Sequence, residues 1–410
     1  MKAFVIGLQS LGVCALVAAV TGCGGSGLAP FSSTSPSGSK ASPLNFKVLY
    51  NFRGRDGAAP RASLINVDGT FYGTTSEGGT RNAGTVFSIT PTGKERVLHS
   101  FKESAPAGYY PGAALINVNG TLYGTTELGN KRSTGAVFSI TTSGQIHVLH
   151  SFGDGGPSGM QPSASLIDVK GTLYGTTVRG GRSNLGTVFS LSTSGMERTL
   201  HSFGDPYRSD GQIPAAALIE FKGALYGTTF EGGVYRRGNS CSGPCPGDGT
   251  VFSISTAGEE HVLHSFGNGS DGISSTAGLT NVKGTLYGTT DNGGTNDEGT
   301  IFRIDAAGTE KVIHSFDPGS DGSGPDGPLI NVGGKLYGTT GYAGPHGPGP
   351  HGTVFSINTD GSALQVLHSF GAGQDGENPQ SGLLDVNGTL YGTTLSGGSY
   401  GKGTIFALTP

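Results

Sequence analysis

The tetrapeptide Tyr-Gly-Thr-Thr occurs seven times in this sequence. Its tyrosine is found at Tyr72, Tyr123, Tyr174, Tyr226, Tyr287, Tyr337 and Tyr391. Consecutive copies lie 50 to 54 residues apart, with one longer interval of 61. A fixed period of this length is typical of repeat proteins, in which each unit buries its apolar surface against its neighbours. Most of the chain is therefore expected to fold as seven similar units.

Each unit contains four short runs that are rich in Val, Ile, Phe, Tyr and Thr, the residues that favour strands. In the second unit the strands are expected at 113–118, 121–126, 135–141 and 147–152. Asn119-Gly120 separates the first two runs, and Asn-Gly between apolar runs is a strong hairpin signal. Four strands in a unit of about 50 residues are typical of a β-propeller blade. The sequence thus predicts an all-β, seven-bladed propeller.

The two ends of the repeat region indicate how the ring closes. Residues 48–52 (VLYNF) resemble a lone fourth strand, while the last unit stops after a third strand in GTIFALTP. Pairing these pieces would complete the seventh blade from both ends of the chain. The alternative is an open β-helix, which would not require a strand missing at one end to be matched by an extra strand at the other.

Composition excludes several other classes of protein. Glycine supplies 76 of 410 residues, which disfavours helices, and it shows no collagen period. The 25 basic and 29 acidic residues give no electrostatic footprint for nucleic acid. Hydrophobic residues make up 34% and are regularly patterned, so a core is expected in place of disorder.

The N-terminal segment has the features of an export signal. Residues 1–22 carry Lys2 and an apolar run, and Val-Thr-Gly precedes Cys23. This ending resembles a bacterial lipobox, which implies cleavage before Cys23 and lipidation of its thiol. Ordinary secretion is the alternative. Residues 23–46 are rich in Gly, Ser and Pro and are expected to be a flexible tether to a propeller at 47–410.

The repeat pattern G-x-[LF]-Y-G-T-T-x-x-G-G, G-T-V-F-S-I and V-L-H-S-F recurs over residues 48–410. It resembles the GloVer tandem repeat of bacterial surface proteins, whose members end in different surface anchors. The resemblance implies a cell-surface location, and it does not imply any particular biochemical activity. Weaker likenesses link the unit to kelch repeats and to the seven-bladed streptogramin B lyases, although this chain has no tryptophan.

Residues repeated in every unit are interpreted as structural. The histidines of the His-Ser-Phe strands belong to this group, because six equivalent copies cannot all be the base of one site. They are His99, His150, His201, His264, His314 and His368.

Function is expected in the loops that follow Tyr-Gly-Thr-Thr and His-Ser-Phe, which vary between units and should emerge on one face. Exposed aromatic and charged residues there suit the binding of sugars or peptides. The predicted binding residues are Tyr109, Tyr110, Tyr207, Glu231, Tyr235, Arg236, Arg237, Tyr342 and Tyr400. Glu77, Glu127, Arg179 and Arg182 lie in the same loops. Tolerant surface loops without function are the alternative.

Cys241 and Cys245 lie in the longest variable loop and are predicted to form a disulfide, as in other exported proteins. A zinc site with His346 and His351 is the alternative. The segment from Asp317 resembles the start of a calcium loop, but Pro328 occupies the twelfth position, where a glutamate is needed. The sequence therefore predicts no metal and no cofactor.

The resulting hypothesis is a monomeric, lipid-anchored module of the bacterial envelope, with the outer membrane or cell surface favoured over the inner membrane. It would bind a glycan or a protein, and no nucleic acid. No nucleophile motif or paired carboxylates stand out, so no catalytic residue is assigned. Two alternatives remain: an enzyme acting on a polysaccharide or cyclic ester through Glu231, Arg236 and Arg237, and a passive structural surface protein.

Overall fold

The computed structural model describes residues 44–103, 105–129, 134–153, 158–204, 210–236, 247–345, 349 and 351–410. These residues form strands, turns and connecting loops, and none of them is helical. In this part of the chain, accordingly, no helix is long and apolar enough to cross a membrane.

Twenty-eight strands form seven antiparallel sheets of four, which confirms the predicted propeller. We number the strands of each blade one to four from the channel outwards. Blade 1 comprises Ile65–Val67, Thr70–Thr75, Thr85–Ile89 and Glu95–Ser100; blade 2, Ile116–Val118, Thr121–Thr126, Ala136–Thr141 and Ile146–Ser151; blade 3, Ile167–Val169, Thr172–Thr177, Thr187–Ser192 and Glu197–Ser202; blade 4, Ile219–Phe221, Ala224–Thr229, Thr250–Ile254 and Glu260–Ser265. Blade 5 comprises Thr280–Val282, Thr285–Thr290, Thr300–Ile304 and Glu310–Ser315; blade 6, Ile330–Val332, Lys335–Thr340, Thr353–Asn358 and Gln365–Ser369; blade 7, Leu384–Val386, Thr389–Thr394, Thr404–Thr409 and Asn45–Asn51.

Blade 7 takes its fourth strand from the start of the chain, as predicted. Asn45–Asn51 pairs antiparallel with Thr404–Thr409, with Asn45 opposite Thr409. This strand begins three residues before the predicted run 48–52, because Asn45, Phe46 and Lys47 extend the ladder. The ring is thereby closed by backbone hydrogen bonds between the two ends of the described chain.

The hairpins between strands one and two have the same turn in every blade. In blade 2, Asn119 has φ of 51° and Gly120 has φ of 83°, as a two-residue turn with two left-handed residues requires. The face of the molecule that carries these turns and the turns between strands three and four is called the uniform face below.

The glycine of Tyr-Gly-Thr-Thr is required by close packing within the blade. A Cβ atom on Gly73 would lie 2.6 Å from the ring of Phe87 and 2.9 Å from Leu64. Both side chains are buried, so neither can move aside without disturbing the core. The same contact recurs at the equivalent glycine of the other blades.

Threonines link neighbouring blades near the axis at six of the seven joints. The first threonine of Tyr-Gly-Thr-Thr donates to a backbone carbonyl of the following blade, as in Thr74 Oγ1 to Ala113 O at 2.9 Å. Thr393 makes the same bond to blade 1, through Pro60 O at 3.1 Å. At the joint between blades 5 and 6 the hydroxyl of Thr289 is buried, and no described residue bonds to it.

Candidate functional site

The two variable loops of each blade lie side by side, on what we call the variable face. The loop that enters a blade pairs with the loop after its strand two in all seven blades. The pairs are Ala58 with Glu77, Tyr109 with Leu128, Gly159–Met160 with Arg179–Gly180, Gly211–Gln212 with Glu231–Gly232, Gly272–Ile273 with Asn292–Gly293, Ser323 with Tyr342, and Glu377 with Ser396. The predicted common face is therefore present.

A narrow channel of about 150 Å³ lies at the centre of the ring and is lined by residues from all seven blades. Each blade contributes the segment just before strand one, which was predicted to be strand and instead leaves the ladder. In blade 2, strand one is Ile116–Val118, and residues 112–114 line the channel.

The seven channel residues nearest the variable face differ from blade to blade, and we call them the axial ring. They are Arg61, Gly112, Ser163, Ala215, Thr276, Asp326 and Gln380. The residues deeper in the channel are nearly all Ala, Ser, Gly or Pro. Chemical diversity is thus concentrated at the mouth of the channel on the variable face.

Two carboxyl groups meet at this mouth. Asp326 of the axial ring interacts with Asp291, which follows strand two of blade 5. The hydroxyl of Thr276 donates to Asp291 Oδ1 at 2.8 Å. Burial raises the pKa of Asp326 to about 6, while hydrogen bonds from Asp291 and Gln380 and the charge of Arg61 oppose the shift. Burial and the neighbouring carboxylate raise the pKa of Asp291 well above its usual value. The pair therefore keeps a proton to higher pH than two isolated aspartates would.

The part of the mouth formed by blades 1 and 2 combines a cation with further acidic groups. Arg61 counteracts the rise that burial causes in the pKa of Glu127. The hydroxyl of Tyr110 donates to Glu77 Oε1 at 3.1 Å. Burial and the Glu77 carboxylate raise the pKa of Tyr110. The charge of Arg61 acts on Asp326, Glu127 and Tyr110, so this one cation is shared among several acidic groups of the mouth.

The predicted binding residues divide between this mouth and the surrounding loops. Tyr110 belongs to the mouth, and Tyr342 lies beside it, since Gln380 Nε2 donates to its hydroxyl at 3.4 Å. Tyr109 packs against the core between blades 1 and 2, which explains its partial burial. Glu231 is half-buried, and burial raises its pKa while Arg179 opposes the rise.

The remaining predicted residues that the structure describes lie in blades 4 and 7. Tyr235 and Arg236 are exposed on the long loop of blade 4. Tyr400 is 53% exposed in blade 7, with the guanidinium of Arg53 5.4 Å from its ring centre. Cys23, Tyr207, Arg237, Cys241, Cys245 and His346 lie outside the described residues.

The sequence interpretation missed the most diverse positions of the molecule. Arg61, Asp326 and Gln380 each follow a proline just before strand one, and superposing the repeats would have exposed them as a variable column. No paired carboxylates stand out in the sequence, whereas the structure brings two of them together. Asp291 and Asp326 are 35 residues apart in different blades, so only ring geometry brings them together.

The aspartates of the Asp-Gly loops bind the histidines of strand four. Asp321, part of the calcium-like segment, lies 2.6 Å from His314 Nε2. The same bond links His201 with Asp210, His264 with Asp271, and His368 with Asp375.

A family model described as the Gloeobacter/Verrucomicrobia repeat matches residues 9–241 and 238–410. No curated protein matches the chain. Among solved structures, PorZ, a surface component of the type-IX secretion system of Porphyromonas gingivalis, is similar at 14% identity and a TM-score of 0.52. The similarity covers 88% of this chain and 48% of that one. A puromycin-hydrolyzing peptidase of Mycobacterium tuberculosis is similar at 9% identity and a TM-score of 0.49, over 83% of this chain and 50% of that one. At these identities the likeness concerns the fold alone.

Proposed function

Because the chain belongs to the Gloeobacter/Verrucomicrobia repeat family, whose repeat fills the whole propeller, we propose that it is a binding module of the bacterial envelope. The lipobox-like sequence before Cys23 and the following tether would hold the ring at a membrane surface. The ligand would reach the variable face, and the uniform face would have no specific contact with it.

One observation carries this proposal. The axial ring is the place where all seven copies converge, yet no two of its residues are identical, and Arg61, Asp326 and Gln380 are large and polar. A purely structural channel would need only the small residues found deeper inside. Diverse polar groups on a rigid scaffold are the usual basis of selective binding.

The chemistry of the mouth indicates which group of the ligand enters it. The carboxyl groups of Glu77, Glu127, Asp291 and Asp326 outnumber the guanidinium of Arg61 even when the aspartate pair retains one proton. This excess favours a cationic group over an anion. A volume of about 150 Å³ lies below the range of roughly 300–1,000 Å³ that encloses a drug-sized ligand, so a side group fits and a whole polymer does not. We therefore assign the mouth to an amino group carried by a surface protein or a glycan.

The test is an array of peptides and glycans in matched pairs, each with a free amine and its N-acetylated form. Glucosamine beside N-acetylglucosamine, and lysine beside acetyl-lysine in one peptide, separate the two sources of the amine. We expect binding of free amines that Asp326→Asn weakens at least tenfold. Lys222→Ala, in a turn of the uniform face, is the control and should bind normally. Binding that survives Asp326→Asn and is lost in Lys222→Ala would overturn the proposal.

An acid–base enzyme is the second candidate, and the Asp291–Asp326 pair is the observation that favours it. Two carboxyl groups that share one proton can supply both an acid and a base. Turnover of a polysaccharide or cyclic ester that both Asp291→Asn and Asp326→Asn abolish would support this candidate. Binding without turnover in the wild type would exclude it for the ligand tested.

A further inference from the structure

Two equivalent clusters of ligand-type side chains lie at joints between neighbouring blades, on the outer strands and away from the channel. Each contains a histidine from strand four of one blade, an aspartate from the following loop and a glutamate from strand four of the next blade. The clusters are His201, Asp210 and Glu260 between blades 3 and 4, and His264, Asp271 and Glu310 between blades 4 and 5. In each, one donor atom per residue lies within 4.8 Å of the other two.

The cluster between blades 4 and 5 contains a carboxylate oxygen in need of a positive partner. His264 Nε2 lies 2.8 Å from Asp271 Oδ2. Glu310 Oε1 points into the same joint, where it is fully buried and no described residue forms a hydrogen bond with it. A buried carboxylate oxygen without a partner is costly, and a cation bound by all three groups would remove that cost.

The other joints show that packing does not require the glutamate. Between blades 5 and 6, His314 and Asp321 are paired in the same way, but Leu364 occupies the position of Glu310. Between blades 6 and 7, Phe46 occupies it and stacks on His368 at 3.6 Å. The remaining joints contain Tyr50, Asp56 and Glu95; His99, Ala107 and Ile146; and His150, Ser158 and Glu197. Among the described residues, all three ligand types coincide at two joints.

We propose that each of these two joints binds one divalent transition-metal ion, with zinc as the best fit. One imidazole nitrogen and two carboxylates are ligands that zinc accepts, and water would complete a four-coordinate site. Coordination uses the lone pair of His Nε2, so the ring proton moves to Nδ1 and the bond from Nε2 to the aspartate is replaced by two bonds to the ion. The side chain of His264 is 19% exposed, which leaves a path from solvent.

The proposal is tested by the number of zinc ions that the full chain binds. This number is measured by competition with a chromophoric chelator. Other histidines and cysteines also bind zinc, so the decisive quantity is the difference between wild type and variant. Glu310→Leu copies the joint between blades 5 and 6 and should fold normally while losing one ion. Glu260→Leu together with Glu310→Leu should lose two. His314→Gln, at the joint without a glutamate, should lose none.

A variant that creates a third site tests the proposal in the opposite direction. Leu364→Glu places a carboxylate beside His314 and Asp321 and should add one ion. Cobalt substitution should give visible absorption bands that scale with the same counts. Equal zinc stoichiometry in wild type and in the double Glu→Leu variant would overturn the proposal. Tighter binding of calcium than of zinc by the same residues would also contradict it, because calcium does not select imidazole.

Discussion

Glu95 is held beside two other polar groups at the joint between blades 7 and 1. The hydroxyl of Tyr50 donates to Asp56 Oδ2 at 2.5 Å and lies 3.2 Å from Glu95 Oε2. Burial raises the pKa of Glu95 from 4.5 to about 7, and the charge of Asp56 adds to the rise. The folded protein therefore favours the protonated form of this carboxyl more than the unfolded chain does.

This residue gives a prediction about the pH dependence of stability. Below about pH 4.5 Glu95 is neutral in both states, so Glu95→Gln should leave the free energy of unfolding unchanged. As the pH rises from about 4.5 to about 7 the wild type loses stability, because the unfolded chain ionises first, and the loss is complete above the folded-state pKa. Allowing for solvent screening, Glu95→Gln should be more stable by about 1 kcal/mol at pH 8. Urea denaturation of both proteins at pH 4 and pH 8 measures this difference. The same change in the free energy of unfolding between the two pH values for wild type and variant would contradict the prediction.

The Asp291–Asp326 pair gives a second residue-scale prediction, on binding. With the pKa of Asp326 at about 6 and that of Asp291 raised, lowering the pH from 7 to 5 protonates Asp326 and reduces the negative charge of the pair. The affinity for a free-amine ligand should then fall about tenfold, because the cation loses its countercharge. Calorimetric titration at several pH values measures this change. An affinity that increases on acidification would show that the pair does not receive the cation.

At the scale of the strand, the threonines of Tyr-Gly-Thr-Thr offer a matched pair of positions. Thr74 Oγ1 donates to Ala113 O across a blade joint, whereas the buried hydroxyl of Thr289 meets no described partner at its joint. Both side chains are almost fully buried, so they differ mainly in this bond.

We expect Thr74→Val to destabilise the protein by about 1–2 kcal/mol, because it removes the bond and leaves a buried carbonyl without that donor. Thr289→Val should be neutral or stabilising, since it removes a hydroxyl that has lost its hydration. Chemical denaturation of both variants gives the comparison. Equal losses would indicate that the threonines act through packing alone.

At the scale of the whole molecule, closure by the first strand ties the ends of the chain together. Phe52, which follows this strand, is fully buried and packs on Phe87 of blade 1 with ring centres 5.2 Å apart. The segment thus completes blade 7 and fills the joint with blade 1.

Deleting residues 1–52 should therefore destabilise the ring by at least about 3 kcal/mol, the typical cost of removing one buried phenylalanine. It also exposes the edge of Thr404–Thr409, which should promote aggregation. Deleting residues 1–43 is the control and should leave thermal unfolding unchanged. The same unfolding temperature for both deletions would refute closure by this strand.

The sequence predicted blades and closure well because each depends on local patterns, such as Asn119-Gly120 and the unpaired run 48–52. The prediction was wrong at residues 113–115, where apolar side chains suggested a strand. Strand one begins only at Ile116, and residues 112–114 line the channel. The prediction also missed Asp291 and Asp326, since their contact exists only once blades 5 and 6 stand side by side. The repeated residues thus predicted the fold. The residues of the mouth, which differ between repeats, were recognised only once the structure placed them together.

The central claim is that the ligand enters the axial mouth, and Gly341 provides its most direct test. A Cβ atom there would lie 3.3 Å from Asp326 Oδ2 and 3.5 Å from Gln380, while blade 7 carries Leu395 at the equivalent position. Gly341→Leu should therefore cover the carboxyl pair with a residue that the fold already accepts. The measurement is the affinity of wild type and variant for the tightest free-amine ligand. We predict at least a tenfold loss with unchanged thermal unfolding; full affinity in a folded Gly341→Leu protein would contradict the account.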